Sequence, residues 1–354
     1  MGARLQEDDQ REALESFKEL SGLIATLGAD VVGRNFQVIK KVSKSYLFGK
    51  GKVEEIKEKA SEAKADRIVF DYYLTPLQSR NLEESLKKPV IDRAGIIIEV
   101  FANHASTSEG KLQVELAQLK YKLPRLTDRN MRYDQQTGGG GSAYLRGAGE
   151  TKKELIYRRI RQNIRNLRKR LDKIKRHRQT QAKLRDRLKM PIVSLVGYTN
   201  AGKSTLLSAL TGADILIQDK LFSTLDTTVR KRYYNGQNIL FTDTVGFIRN
   251  LPVELVAAFR STLEEVLSGW LLLVVFDVSN PDWKKHLEVV ESILDDLGAT
   301  HIPKLYVGNK VDKVDDEVKD EILEEIPDVK FISASTKIGT DELLEDISET
   351  LRNL

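Results

Sequence analysis

The octapeptide GYTNAGKS at 197–204, preceded by the apolar run IVSLV and followed by TLLSAL, leaves the chain few ways to fold. Its spacing, G-x-x-x-x-G-K-S, sets a glycine-rich turn between a strand and a helix start. The glycines let backbone N–H groups curl around an anion, and the helix that follows points its positive end at the same place. Lys203 is expected to reach the outer phosphates of a nucleotide, and Ser204 to offer a hydroxyl to Mg²⁺. The predicted phosphate cradle is Gly197, Tyr198, Thr199, Asn200, Ala201, Gly202, Lys203, Ser204 and Thr205. Beyond it, residues 191–354 repeat strand, loop and helix, the signature of a mostly parallel sheet in an α/β fold.

Three later segments complete the site. LYVGNKVD at 305–312 is a short apolar strand ending in Asn309, Lys310, Val311 and Asp312. A carboxylate accepts from both donors on the Watson–Crick edge of guanine, and adenine has no such pair. Asp312 is the predicted base reader, with the Lys310 stem lying along the base. Ser333, Ala334 and Ser335 end another apolar strand and are expected to buttress the base with backbone N–H. Between these motifs, NILFTDTVGFI at 238–248 is an apolar strand ending in an acid. Asp243 falls where a P-loop protein needs its carboxylate for Mg²⁺, directly or through water. Thr244 and Val245 lead to Gly246, whose amide can approach the γ-phosphate. LFSTLDTT at 221–228 supplies Phe222, Ser223, Thr224, Leu225 and Asp226, with Thr224, Thr227 and Thr228 as candidate hydroxyl ligands.

The first hundred residues interleave helical spacing with short β-branched runs, which predicts a small α/β domain. Leu14, Phe17, Leu20, Ile24 and Leu27 share a helix face; 53–63 and 76–87 read as helices; 36–42, 68–73, 89–92 and 96–101 read as extended. Leu112, Leu116, Leu119 and Leu123 then form one heptad seam, closed by Pro124. Ile160, Ile164, Leu167, Leu171 and Ile174 form a second. Two seams joined by a loop containing Gly138, Gly139, Gly140 and Gly141 predict an antiparallel coiled coil. The expected domains are 1–106, 107–190 and 191–354.

Charge divides along the same lines. The whole chain is only +5, yet residues 151–190 hold 17 Lys and Arg against 3 Asp and Glu. Residues 191–354 hold 16 against 27. A surplus of +14 in forty residues repels itself unless an anion lies nearby, and 10 of the 17 bases are Arg, suited to bidentate phosphate contacts. RNA or another polyanion is the expected partner. The absence of Cys excludes disulfides, Cys-type zinc sites and thiol nucleophiles. The start MGARLQ reads as neither a signal peptide nor a myristoylation site. LLLVVF at 271–276 is far too short to span a bilayer. A cytoplasmic protein is expected.

The order GYTNAGKS, FSTLD, DTVG, NKVD, SAS resembles the translation-factor-related P-loop GTPases, and most of all the HflX family of ribosome-associated GTPases. YLFGKGKVEE at 46–55, GKLQVELAQLKYKLPRL at 110–126, the GGGG…RGAGETK loop and GFIRNLPVELVAAFRSTLEEV at 246–266 carry the same likeness. The resemblance implies a Ras-like GTPase domain with Thr224 and Asp243 as its switch ligands to Mg²⁺, and Lys203, Thr224 and Gly246 as the catalytic set. It implies GTP and GDP as bound nucleotides and the large ribosomal subunit as partner. The rRNA would be met by the coiled coil and its Gly138–Gly141 loop, flanked by Arg132 and Arg146, near the peptidyl-transferase region. It further implies ribosome splitting, recycling or rescue by a monomer. Ala148, Lys152 and Tyr157 depart from the family's usual Pro, Gln and Asp, which bears on partner contacts rather than nucleotide chemistry.

Hydrolysis requires a positioned water, and many relatives use a Gln after the DxxG glycine. Here that place holds Phe247, which cannot orient a water. Slow intrinsic turnover, stimulated by a partner, is expected. The competing reading is a GTP-dependent RNA-binding or RNA-remodelling module acting off the ribosome. A role in tRNA modification is weaker, since no folate site or redox Cys is present.

Overall fold

The computed structural model describes residues 2–5, 10–39, 42–136, 143–187, 190–212, 222, 228–244, 246–249, 252, 255 and 266–354. The chain divides into two compact units: Met1–Asn103, Lys111–Asp172 and Pro252–Ala258 form one, and His104–Gly110, Lys173–Leu251 and Phe259–Leu354 the other.

In the first unit, strand β1 (Gly2–Leu5) pairs in parallel with β2 (Phe36–Ile39) across helix α1 (Gln10–Thr26). Helix α2 (Lys50–Glu62) leads to β3 (Ile68–Phe70), and α3 (Pro76–Leu86) to β4 (Val90–Asp92), which pairs in parallel with β3. Helix α3 starts where the sequence dictates. Thr75 accepts from the Gln78 amide, the Gln78 side chain returns to the Thr75 amide, and Pro76 occupies the first turn. Leu47, Phe48, Phe70, Leu82 and Leu86 anchor the core of this unit.

Residues 96–101 correct the reading as an extended segment: they lie inside helix α4 (Arg93–His104). Ile96, Ile97, Ile98, Val100 and Phe101 are all buried. Apolar residues occupy most of the helix's circumference, broken within 96–101 only by Glu99, so no clear 3.6-residue stripe appears and periodicity does not distinguish it from a buried strand. Asp92 starts it by accepting from the Gly95 amide, and also accepts from the Leu74 amide, Tyr121 Oη and Arg125 Nη2. Next to it the buried Arg93 guanidinium pairs with Asp71 at 2.8 Å and with Glu19. Burial alone would lower the Arg93 pKa, but Glu19 and Asp71 outweigh it and raise it.

Helix α5 (Ser108–Gln136) passes through Pro124, which the sequence reading took as its end. Proline removes one backbone donor at a cost of about 3 kcal/mol. A 29-residue helix carries that cost because its flanks are anchored. Arg125 ties the far side to the Leu74 carbonyl and Asp92, and the near side is buried through Leu112, Val114, Leu116 and Ala117. Helix α6 (Ala143–Arg187) runs 45 residues. Ile164 and Leu167 of its apolar stripe are buried and Ile160, Leu171 and Ile174 half-buried.

The second unit is built on six strands in the order β10-β9-β8-β5-β7-β6. These are β5 (Ile192–Gly197), β6 (Thr228–Tyr234), β7 (Gln237–Asp243), β8 (Leu271–Asp277), β9 (Lys304–Asn309) and β10 (Lys330–Ile332). All pairs are parallel except β6 with β7. That antiparallel pair is closed by Asn235-Gly236, both at positive φ, the two-residue hairpin turn that Asn-Gly favours. Helices α7 (Lys203–Thr211), α8 (Trp283–Leu297), α9 (Asp316–Glu325) and α10 (Thr340–Arg352) accompany the sheet. Strand β5 is buried along its whole length, as an apolar run between two neighbours must be. The chain order reverses on either side of β5, so the crevice beyond its carboxyl end is where an open sheet of this kind takes a ligand.

Candidate functional site

At that end of β5 the loop 197–202 turns into α7. Gly197 sits at φ +156°, and a Cβ there would lie 2.1 Å from the Val275 carbonyl oxygen of β8, so only glycine lets the two strands pair. Gly202, at φ +91°, would put a Cβ 2.2 Å from Asn309 Nδ2. Among the described residues no side chain caps α7 at Gly202, and a helix start of this kind presents backbone N–H groups to an anion. Thr199 Oγ1 is buried without a hydrogen-bond partner among the described residues, a polar atom suited to a phosphate oxygen.

Lys203 is buried, and its Nζ donates to the carbonyls of Gly197 at 3.1 Å and Tyr198 at 2.8 Å. Burial lowers its pKa to about 8, although the Asp243 carboxylate pulls it upward. Ser204 Oγ donates to Asp243 Oδ2 at 2.6 Å, bringing the hydroxyl after the loop against the carboxylate that ends β7. Two hard oxygen donors side by side, from a hydroxyl and a carboxylate, fit a small divalent cation that keeps the rest of its shell for phosphate and water. Thr244 Oγ1 donates to the Leu195 carbonyl, fixing the turn after β7.

Gly246 follows. A Cβ on it would crowd Thr199 Cα at 3.0 Å and Lys203 Nζ at 3.1 Å, so a side chain here would require the loop to give by a few tenths of an ångström. Phe247 is fully buried; its amide donates to the Gly197 carbonyl at 3.0 Å and its carbonyl accepts from the Thr199 amide at 2.7 Å. The side chain at this position therefore packs.

The base-reading motif holds a division of labour that the sequence conceals. Asn309 is buried and ties two loops together. Its Nδ2 donates to the Ala201 carbonyl at 2.8 Å, and its Oδ1 accepts from the Ala334 amide at 3.0 Å. Lys310, at φ +70°, extends its ammonium to Asp277 Oδ2 at 2.7 Å. Asp312 lies exposed in the single turn Val311–Lys313 that follows, open to a ligand. Ser333 and Ala334 already give their amides to the Ile338 carbonyl and to Asn309, while the Ser333 hydroxyl lies 3.1 Å from that of Ser335.

The structure thus gathers the cradle, Asp243, Thr244, Gly246, the 309–312 motif and the 333–335 turn at one end of the sheet. Phe222 is buried at φ +59°. Ser223, Thr224, Leu225, Asp226, Thr227 and Val245, and the glycines 138–141, lie outside the described residues. Sequence reasoning missed Asp277, although LLLVVFD carries the same signal that found Asp243, an apolar strand ending in an acid. Tyr198 was assigned to the cradle by position alone, and the contacts of its side chain were not legible.

Three family descriptions cover the chain: GTP-binding GTPase N-terminal over residues 14–102, GTP-binding GTPase Middle Region over 104–185, and 50S ribosome-binding GTPase over 192–310. A GTPase HflX of Caldanaerobacter subterraneus subsp. tengcongensis is 46% identical over 342 residues, covering 95% of this chain and 77% of its own. That of Lacrimispora saccharolytica is 44% identical, covering 98% and 81%, and that of Escherichia coli K12 40% identical, covering 97% and 80%. Among solved structures, the SsGBP and GDP complex superposes with a TM-score of 0.52 at 25% identity, covering 99% of this chain and 98% of that one.

Proposed function

Because the chain belongs to the HflX family of GTPases, and so binds and hydrolyses GTP, we propose that it works on the ribosome. In this reading the basic side of α6 meets the rRNA of the large subunit in the cytoplasm, and the GTP cycle makes and breaks that contact in ribosome splitting, recycling or rescue under stress.

The observation that carries the reading is where the surplus charge stands. Arg158, Arg159, Arg161, Arg165, Arg168 and Arg170 are all exposed on α6, while its apolar stripe turns inward. Glu154 pairs with Arg158 along the helix, but three acids cannot balance 17 bases. Such a face holds phosphate backbones, with strong salt dependence.

At the nucleotide site, Lys203 trades its carbonyl acceptors for β- and γ-phosphate oxygens, and the loop amides and the first turn of α7 hold the rest of the triphosphate. Ser204 and Asp243 would hold Mg²⁺, with Thr224 contributing from the segment before β6. Bound there, the ion neutralises charge on the transferring phosphoryl group. Gly246 offers its amide to the γ-phosphate, a contact that loss of that phosphate breaks. Asp312 selects guanine. Phe247, being buried, leaves the attacking water without a side-chain guide, and turnover stays slow until a partner orders the site or supplies the missing group.

The test is GTP hydrolysis with and without purified large subunits, beside co-sedimentation with a non-hydrolysable GTP analogue. Stimulation and analogue-dependent pelleting are expected. Unchanged hydrolysis, with tight binding only to free RNA, would replace this reading with the off-ribosome RNA module.

A further inference from the structure

The second residue of the phosphate loop is a tyrosine whose side chain does work that nothing in the P-loop pattern requires. Tyr198 is buried, with 4% of its surface exposed. Its phenol oxygen accepts from the Arg249 amide at 2.9 Å. Its ring lies flat on the imidazole of His286, with centroids 3.8 Å apart and planes 4° from parallel. His286 stands in the first turn of α8, held by its amide to the Asp282 carbonyl. Three elements far apart in the chain thus meet: the loop that cradles phosphate, the segment 246–249 that follows Asp243, and α8.

We infer that Tyr198 and His286 are positioning residues for hydrolysis, holding segment 246–249 so that the Gly246 amide faces the phosphate cradle. Two backbone contacts fasten this segment at Phe247, through the Gly197 carbonyl and the Thr199 amide. The Tyr198 hydroxyl adds a third point two residues on, so the segment is held at both ends of a short stretch and cannot pivot about Phe247. The ring can keep that hydroxyl in place only if the ring itself is fixed, which the His286 face provides. A stack of this kind contributes beyond its buried area and sets ring orientation. With Phe247 packed away, the burden of ordering falls on the backbone of the segment, and its placement decides the rate.

The inference rests on the proposed role of the Gly246 amide, so the experiment separates the two. Tyr198→Phe keeps the ring and removes the acceptor; His286→Ala removes the stack and His286→Phe restores a planar partner. Tyr198→Phe is expected to lower basal kcat about fivefold to tenfold while the KM for GTP and the affinity for GDP stay within about twofold. His286→Ala should lower kcat to a similar extent, His286→Phe should recover it, and Tyr198→Phe with His286→Ala should fall no further than the larger single loss. Hydrogen exchange of the nucleotide-free protein gives an independent reading: the Arg249 amide should exchange faster in Tyr198→Phe. Gly246→Ala reports on the site assignment alone. Full activity there removes the assignment. Loss there with unchanged kcat in Tyr198→Phe overturns the positioning pair. A Tyr198→Phe defect that falls equally on GDP affinity overturns it too, since the residue would then only shape the loop.

Discussion

Replacing Asn309 with alanine perturbs a side chain that joins the phosphate loop to the 333–335 turn. The substitution strips a donor from the Ala201 carbonyl at 2.8 Å and an acceptor from the Ala334 amide at 3.0 Å. Asn309 is only 2% exposed, so water does not readily replace it. Each buried group left unsatisfied costs about 1–3 kcal/mol, which gives about 2–6 kcal/mol for the pair. Part of that appears as lower stability of the nucleotide-free protein. The rest appears as lost affinity, because nucleotide binding must re-order two loops that Asn309 otherwise holds; at about 1.4 kcal/mol per factor of ten, a loss of tenfold or more is expected. Urea unfolding without nucleotide and titration with a fluorescent GDP measure the two parts. Asn309→Asp separates the sides: it can still accept from the Ala334 amide but sets a carboxylate oxygen against the Ala201 carbonyl. An Asn309→Ala protein within about 0.5 kcal/mol of the parent and within about twofold in affinity would refute the reasoning.

Two further outcomes follow from buried charge. Burial holds Lys203 at about 8 against an ordinary 10.5, so between those values the unfolded chain keeps a proton that the folded chain has lost, and stability rises with pH across the window. Without nucleotide, the parent should gain about 2–3 kcal/mol over Lys203→Met between pH 8 and 10.5 in urea midpoints; parallel profiles would rule this out. In the other unit, Arg93→Met leaves the Asp71 and Glu19 carboxylates buried without their cation. A loss of about 3–5 kcal/mol in unfolding free energy is expected, with GDP affinity of the folded protein unchanged; a stable variant would mean that the pair contributes little net stabilisation.

The structure also explains why the two acids and the amide at the carboxyl ends of three strands of one sheet behave so differently. Asp243, Asp277 and Asn309 end β7, β8 and β9. Asp243 meets the Ser204 hydroxyl, Asp277 meets Lys310, and Asn309 meets two backbone groups. The same chemical pattern at the same end of one sheet makes a hydroxyl pair beside the phosphate loop, a lysine brace and a loop tie. Position along the sheet, rather than residue type, assigns each role.

What could be read from the linear chain was whatever depends on contiguous residues. The phosphate loop is local, since adjacent amides and one helix start make the cradle. Strand-loop-helix order and the charge block at 151–190 are local as well. Contacts over long separations were not legible. Asn309 reaches Ala201 across 108 residues, and Tyr198 reaches Arg249 and His286, only because the strand order sets those loops side by side. The mostly apolar run in α4 and the proline inside α5 mislead for a related reason. Burial over most of a helix's circumference blurs its periodicity, and flanking packing offsets a local penalty. Contiguous residues dictate that this chain cradles a nucleotide and carries a basic helix. Tertiary structure alone decided which side chains hold the cradle in shape, because hydrogen bonds and ring stacks act over a few ångströms and only the sheet order brings their partners within that range.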